Sequence, residues 1–171
     1  MAEVPSTFQL APGSPAPAFS LQDASGGIHS PASLVSGKRG LLVVFACNHC
    51  PFVVHLADAL GRFAGEIAGK GVATVAIASN DVERYPADAP DRMPAFAEAH
   101  GWRFPYLHDA TQEVARAHAA ACTPDFYLFD ADLKLAYAGQ FDGSRRRRPG
   151  TGANPVVIGA SRRCVGGNHQ R

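Results

Sequence analysis

A chain of 171 residues is one ordinary domain, long enough to bury a core without disulfide staples. Apolar residues at 46% and charged residues at 18% exclude a disordered or fibrous chain, and the longest apolar run, residues 41–47, is too short to cross a bilayer. The net charge of +1 conceals a break: residues 1–143 carry nine Lys and Arg against fifteen Asp and Glu, whereas 144–171 carry seven Arg and no acid. Neither a basic patch nor an apolar stretch of signal-peptide length opens the chain, so a cytoplasmic location is expected. In that compartment four cysteines point to redox chemistry or metal binding before structural disulfides.

Residues 1–18, with Pro5, Pro12, Pro15 and Pro17, read as an extended arm. Phe19 and Leu21 alternate with polar neighbours, and the turn at Gly26-Gly27 before Ile28 predicts a short hairpin. After a second turn at 37–40, the unbroken apolar run 41–45 predicts a strand buried on both faces. Phe52, Val53, Leu56, Leu60, Phe63 and Ile67 then recur mostly every three or four residues, predicting a helix ended by Gly69 and Gly71. Residues 72–78 form another buried strand, followed by a loop at Ser79-Asn80-Asp81. Residues 85–90 are irregular. Asp91 is expected to cap a helix running to about His100, and Thr111 to open a helix reaching Ala121. Between them 104–107 reads as a short strand or turn. Residues 126–129 and 133–138 form two strands joined by Asp130-Ala131-Asp132, a hairpin signal. Strands that alternate with helices and finish in a hairpin predict an α/β layer fold with a mixed sheet.

The most informative feature is Cys47-Asn48-His49-Cys50, a C-x-x-C between a buried strand and a helix start. A thiolate there faces unpaired amides and the positive end of the helix dipole, which lowers its pKa. Pro51 suits the first helical turn, where its missing N–H costs nothing. A charged His49 would favour the reduced thiolate form and make the disulfide more oxidising. Rival readings are a chance pair of buried cysteines and a zinc site. Zinc needs two further ligands, for which Cys164 and His169 are the candidates. Haem attachment is excluded because Pro51 stands where a His is required, and neither metal nor cofactor is expected. Cys122-Thr123-Pro124-Asp125 precedes a strand, and its proline is either a loop cap or half of a cis Thr123–Pro124 bond. His55 reads as a helix-surface residue, Trp102 and Tyr85 as packing at loop edges, and His100, His108 and His118 show no ligand spacing.

Buried strand, C-x-x-C, long helix and a later Thr-Pro before a strand hairpin resemble the thioredoxin superfamily. The segments 12–21, 45–52 and 122–126 resemble its peroxiredoxin-like, redoxin (AhpC-TSA type) branch, and the likeness spans about residues 10–143. That resemblance implies a thioredoxin-like three-layer sandwich, a mixed central sheet with flanking helices. It also implies that Thr123 and Pro124 face Cys47 and Cys50 and bind substrate backbone. Departures accompany it. With Cys50 as the peroxidatic position, the expected Thr and Pro are Cys47 and Val43, and the expected Arg falls in Cys-Thr-Pro. Against thioredoxin, Ala46 replaces the usual Trp and Leu41 the usual buried acid.

The expected organisation is an arm (1–18), a thioredoxin-like domain (19–143) and a basic, disordered tail (144–171). The terminal helix that the resemblance implies is not legible in the tail; a change of reading frame near Ser144 would explain its composition, and the arginines 145–148 read as a solvated run. The expected function is thiol–disulfide exchange, with Cys47, taken as the more exposed, attacking and Cys50 resolving. One alternative is a thiol peroxidase, weak at best, in which Cys50 becomes a sulfenic acid and Cys47 or Cys122 condenses with it. Another is a non-catalytic binding module of the same fold. His49 and Cys122 are cast as modulating residues. Expected partners are a protein disulfide or a peroxide, with a thioredoxin- or glutathione-type reductant, and neither nucleic acid nor membrane.

Overall fold

The computed structural model describes residues 9–141. Its elements in chain order are β1 (Leu21–Gln22), β2 (Ile28–His29), α1 (Pro31–Val35), β3 (Gly40–Phe45), α2 (Pro51–Ala68), β4 (Val72–Ala78), α3 (Met93–Ala99), β5 (Tyr106–His108), α4 (Glu113–Ala117), β6 (Asp125–Asp130) and β7 (Leu135–Gly139). Two single turns of 3-10 helix, Pro86–Asp88 and Pro90–Arg92, lead into α3. β1 and β2 form a small hairpin, and the other five strands form one mixed sheet in the order β5-β4-β3-β6-β7. β3 pairs parallel with β4 and antiparallel with β6, so it is the centre of the sheet.

That position explains the apolar run. Every residue of β3 is buried, and its side chains divide between two cores. Leu42 and Val44 pack with Val53, Ala57, Leu60 and Phe63 of α2 and with Met93 of α3. Leu41, Val43 and Phe45 pack on the opposite face with Val114 of α4, Tyr127 and Phe129 of β6, and Leu34 and Val35 of α1. Among the described residues two helices therefore cover each face, giving the three layers and mixed sheet expected from the sequence. Each fully buried Leu or Phe contributes about 1.5–3 kcal/mol of transfer free energy. Gly40 begins β3 because a Cβ there would lie 2.7 Å from the carbonyl oxygen of Phe129.

Several local expectations need correction. Asp91 does not cap α3: it lies in the second 3-10 turn, and Arg92 is the N-cap, with no side-chain cap bond. Pro94 in the first turn has no N–H to be satisfied, which reduces the need for a cap. α4 starts at Glu113, after a left-handed Gln112, and stops at Ala117 well short of Ala121. It ends because Ala119 is left-handed (φ 52°), while the amides of Ala119 and Ala120 close back on the carbonyls of Arg116 and Ala115. Trp102 is core rather than loop edge, 6% exposed, with Nε1 donating to the Ala57 carbonyl. The described part of the arm is docked: the amides of Gly13 and Ala16 donate to the carbonyls of Leu135 and Leu133. The tail 144–171, its terminal helix and frame-change readings, and Cys164 and His169 lie outside the described residues.

Candidate active site

β3 ends at Phe45 and α2 begins at Pro51, so the five intervening residues carry the C-x-x-C at the C-terminal end of the central strand. The β3–β6 register pairs Phe45 with Asp125, which brings 122–124 alongside that loop. The Thr123–Pro124 peptide is cis. Thr123 meets both cysteines: its Oγ1 lies 3.3 Å from Cys47 Sγ, and its carbonyl oxygen 3.4 Å from Cys50 Sγ. The structure thus brings the two cysteines and the Thr-Pro turn together, the placement that the family resemblance implies.

The exposure of the two thiols is the reverse of that expected. Cys47 is 1% exposed, whereas Cys50, the N-cap of α2, is only half-buried. Cys47 is enclosed because Ala46 ahead of it still belongs to the core and the Thr123 side chain lies against its sulfur. The Cys50 thiol is pushed down to about 5, chiefly by a hydrogen bond with the Cys47 thiol, and further by Thr123 and the amides of Val53 and Phe52 in the first turn of α2. As a thiol Cys50 donates to the Thr123 carbonyl; as a thiolate it accepts from Cys47 and the helix amides. The Cys47 thiol is pushed up, first because it keeps the proton it shares with Cys50, then by burial and by the nearby Asp88 charge.

Asp88 is the residue that sequence reasoning missed. It is 1% exposed, and its carboxylate binds both arms of the C-x-x-C centre. Oδ1 accepts from the amides of Asn48 (2.7 Å) and His49 (3.1 Å). Oδ2 accepts from Asn80 Nδ2 (2.9 Å) and lies 2.6 Å from His49 Nδ1. Asn48 is held further by Nδ2 donating to the Ala87 carbonyl and by the Tyr106 hydroxyl donating to its Oδ1. Tyr85 lies flat on the His49 ring, with centroids 4.2 Å apart and 5° between planes, so it is not the bland packing residue its sequence suggests. The only signal for this cluster was the irregular, proline-flanked segment 85–90, which carries no spacing rule.

Cys47, His49 and Asp88 each offer a ligand atom within 4.8 Å of the others. Two backbone amides, Asn80 Nδ2 and the His49 ring already lie against that carboxylate, so hydrogen bonds tie His49 to Asp88 within the trio. Cys122 turns its thiol to Asp125 Oδ1 at 3.3 Å, and the Ala121 amide donates to the other oxygen of that buried carboxylate. His55 is exposed on α2, as expected.

The sequence profile of the AhpC/TSA family matches residues 12–138. The chain belongs to that family. A Mycobacterium tuberculosis (strain H37Rv) protein named a peroxiredoxin is 31% identical to this AhpC/TSA-family chain over 114 residues, 67% of each chain. A crystal structure of a conserved Geobacillus kaustophilus protein superposes with a TM-score of 0.88 at 41% identity, covering 97% of this chain and 89% of that one. One from Sinorhizobium meliloti 1021 gives 0.84 at 42% identity, covering 93% and 86%. Two more distant Mycobacterium tuberculosis structures bear on the fold alone. A secreted disulfide oxidoreductase has a TM-score of 0.57 at 24% identity, over 68% of this chain and 79% of that one. A peroxidoxin has 0.61 at 20%, over 75% and 84%. The fold of this AhpC/TSA-family chain is thioredoxin-like, and its neighbours include both peroxide- and disulfide-named proteins.

Proposed function

We propose that this AhpC/TSA-family protein is a thiol–disulfide oxidoreductase in which Cys50 attacks and Cys47 resolves. The observation that carries the reading is the asymmetric dithiol: a half-buried Cys50 at the N-cap of α2, facing the first-turn amides that lower its thiol, beside a Cys47 that burial pushes up. The Cys50 thiolate attacks one sulfur of a substrate disulfide, that S–S bond breaks, and one substrate thiolate leaves. Cys47 then loses its proton and attacks Cys50 sulfur, releasing the second substrate thiolate and leaving a Cys47–Cys50 disulfide. Two electrons pass from the protein to the substrate. Thr123 and Pro124 receive the substrate backbone beside the dithiol. A thioredoxin- or glutathione-type reductant of a reducing cytoplasm returns the Cys47–Cys50 disulfide to the dithiol.

A second reading is supported by the same thiolate and by the peroxiredoxin-named relative. The Cys50 thiolate would attack a peroxide oxygen, breaking the O–O bond to give a sulfenic acid and release hydroxide, and Cys47 would condense with the sulfenic acid to form the Cys47–Cys50 disulfide, releasing water. Against it, Val43 and Cys47 occupy the positions of the usual peroxide-site Pro and Thr, and Val43 is a core residue of β3. Loss of one preorganised donor costs on the order of a hundredfold to a thousandfold in rate. Assaying insulin disulfide reduction and hydrogen peroxide consumption side by side separates the two. Disulfide reduction is expected to dominate, to vanish in Cys50→Ser, and to stall as a mixed disulfide in Cys47→Ser. Rapid peroxide turnover that survives Cys47→Ser and is lost in Cys50→Ser would make this a one-cysteine peroxidase.

A further inference from the structure

Asp88 gathers more than hydrogen bonds. Cys47 Sγ, a His49 ring nitrogen and an Asp88 carboxylate oxygen all lie within 4.8 Å of one another. They come from the C-x-x-C loop and the 3-10 turn Pro86–Asp88, and each is braced by a neighbour. The amides of Asn48 and His49 fix Asp88 Oδ1, which leaves Oδ2 as the oxygen beside the imidazole. Tyr85 lies flat on the His49 ring, and the Thr123 hydroxyl is 3.3 Å from the Cys47 sulfur, placed to donate to a thiolate. Contacts of this kind orient the ligands of a metal and tune their basicity.

The donor chemistry narrows the ion. A thiolate and an imidazole are poor ligands for Mg²⁺ or Ca²⁺ and suit Zn²⁺. Thiolate and carboxylate together carry two negative charges, which balance those of Zn²⁺ where Cys47 and Asp88 are each 1% exposed. Tetrahedral Zn²⁺, with bonds of about 2.0–2.3 Å, sets its ligand atoms roughly 3.3–3.8 Å apart. The trio reaches that span when the 2.6 Å contact between His49 Nδ1 and Asp88 Oδ2 opens and the sulfur closes in, by about an ångström or less. The His49 side chain is 25% exposed, which gives the ion a way in and leaves its fourth position to water. Cys50 turns its thiol to the Thr123 carbonyl instead.

We propose that the reduced protein binds a Zn²⁺ ion through Cys47, His49 and Asp88, with Cys50 outside the ligand set. On binding, the Cys47 thiol proton leaves to solvent and the sulfur's electron pair goes to the metal. The proton on the His49 nitrogen that turns to the ion is exchanged, through solvent, for one on the other ring nitrogen. The site does not require the dithiol cycle, but the two exclude each other in time. A Cys47 held by the ion is not free to resolve a mixed disulfide, and a Cys47 in a disulfide has no thiolate to offer the ion.

The test uses the untagged full chain, reduced and kept free of oxygen, in a background where Cys122 and Cys164 are serine. It is titrated with Zn²⁺ against a chromogenic chelator, and with Co²⁺ as a coloured stand-in. A single Zn²⁺ per chain is expected. Cys47→Ser, and His49→Gln, which keeps both backbone bonds to Asp88, are each expected to weaken binding at least about a hundredfold; Cys50→Ser is expected to leave it within about tenfold. The Co²⁺ form should show a thiolate-to-metal charge-transfer band in the near ultraviolet that persists in Cys50→Ser and disappears in Cys47→Ser. Binding lost in Cys50→Ser, or unchanged in His49→Gln, would mean another ligand set, such as a bare dithiol chelate, and overturn the assignment. So would Zn²⁺ lost entirely to the chelator in the unsubstituted trio. None of these readouts uses disulfide turnover, so a failure of the dithiol reading and a failure of the metal site are told apart.

Discussion

The interior of the central sheet and the end of it that carries the cysteines are made of opposite materials. Between Leu41 and Phe45 on β3 and between Phe126 and Phe129 on β6 every side chain is buried, and only Tyr127 carries a polar atom. One step beyond the Phe45–Asp125 pair, the two strands run into a region of buried carboxylates, thiols and a cis peptide bond. The interior is held by apolar area, which is indifferent to direction. The end is held by directed hydrogen bonds on Asp88 and Asp125, each satisfying groups that burial would otherwise leave unpaired. The comparison teaches a division of labour: the strands set where the dithiol sits, and the buried acids set how it is aimed.

Removing apolar area from the interior should therefore cost stability and spare the chemistry. Phe129→Ala, at a fully buried position far along β6 from the cysteines, is expected to lower unfolding free energy by about 3–5 kcal/mol in a denaturant titration. The alkylation rate of Cys50 in its folded fraction should stay within about twofold. A changed Cys50 reactivity would break the division.

Sequence and structure agree where the physics is local. The β3 run, the period of α2 and the Cys47–Cys50 spacing each follow from neighbours within a turn or a strand. Thr123-Pro124 was legible by resemblance, since the register that brings it to the dithiol spans 73–76 positions. Asp88 was not legible: its partners Asn48 and His49 are 39–40 positions away, and no motif connects them. The relative exposure of the cysteines failed for a related reason. Cys47 is enclosed partly by Thr123, a contact that the sequence of its own loop does not encode. α4 was overextended because a run of alanines favours helix, and a left-handed Ala119 ends it.

The smallest expected effect sharpens the same comparison. Cys122 turns its thiol to Asp125 within its own turn. Cys122→Ser preserves a donor, so disulfide turnover is expected within about twofold of the unsubstituted protein and stability within about 1 kcal/mol. A tenfold loss of turnover would bring Cys122 into the cycle.

The most direct test of the central claim is the order in which the reduced thiols alkylate, followed by mass spectrometry across pH. The thiolate is the reactive form, so a thiol held near 5 reacts at full rate at neutral pH and slows as pH falls through about 5. Iodoacetamide is predicted to label Cys50 first, with no further gain in rate between pH 7 and 9, while buried Cys47 stays unlabelled. Labelling of Cys47 first, or a Cys50 rate still climbing between pH 7 and 9, would contradict the account.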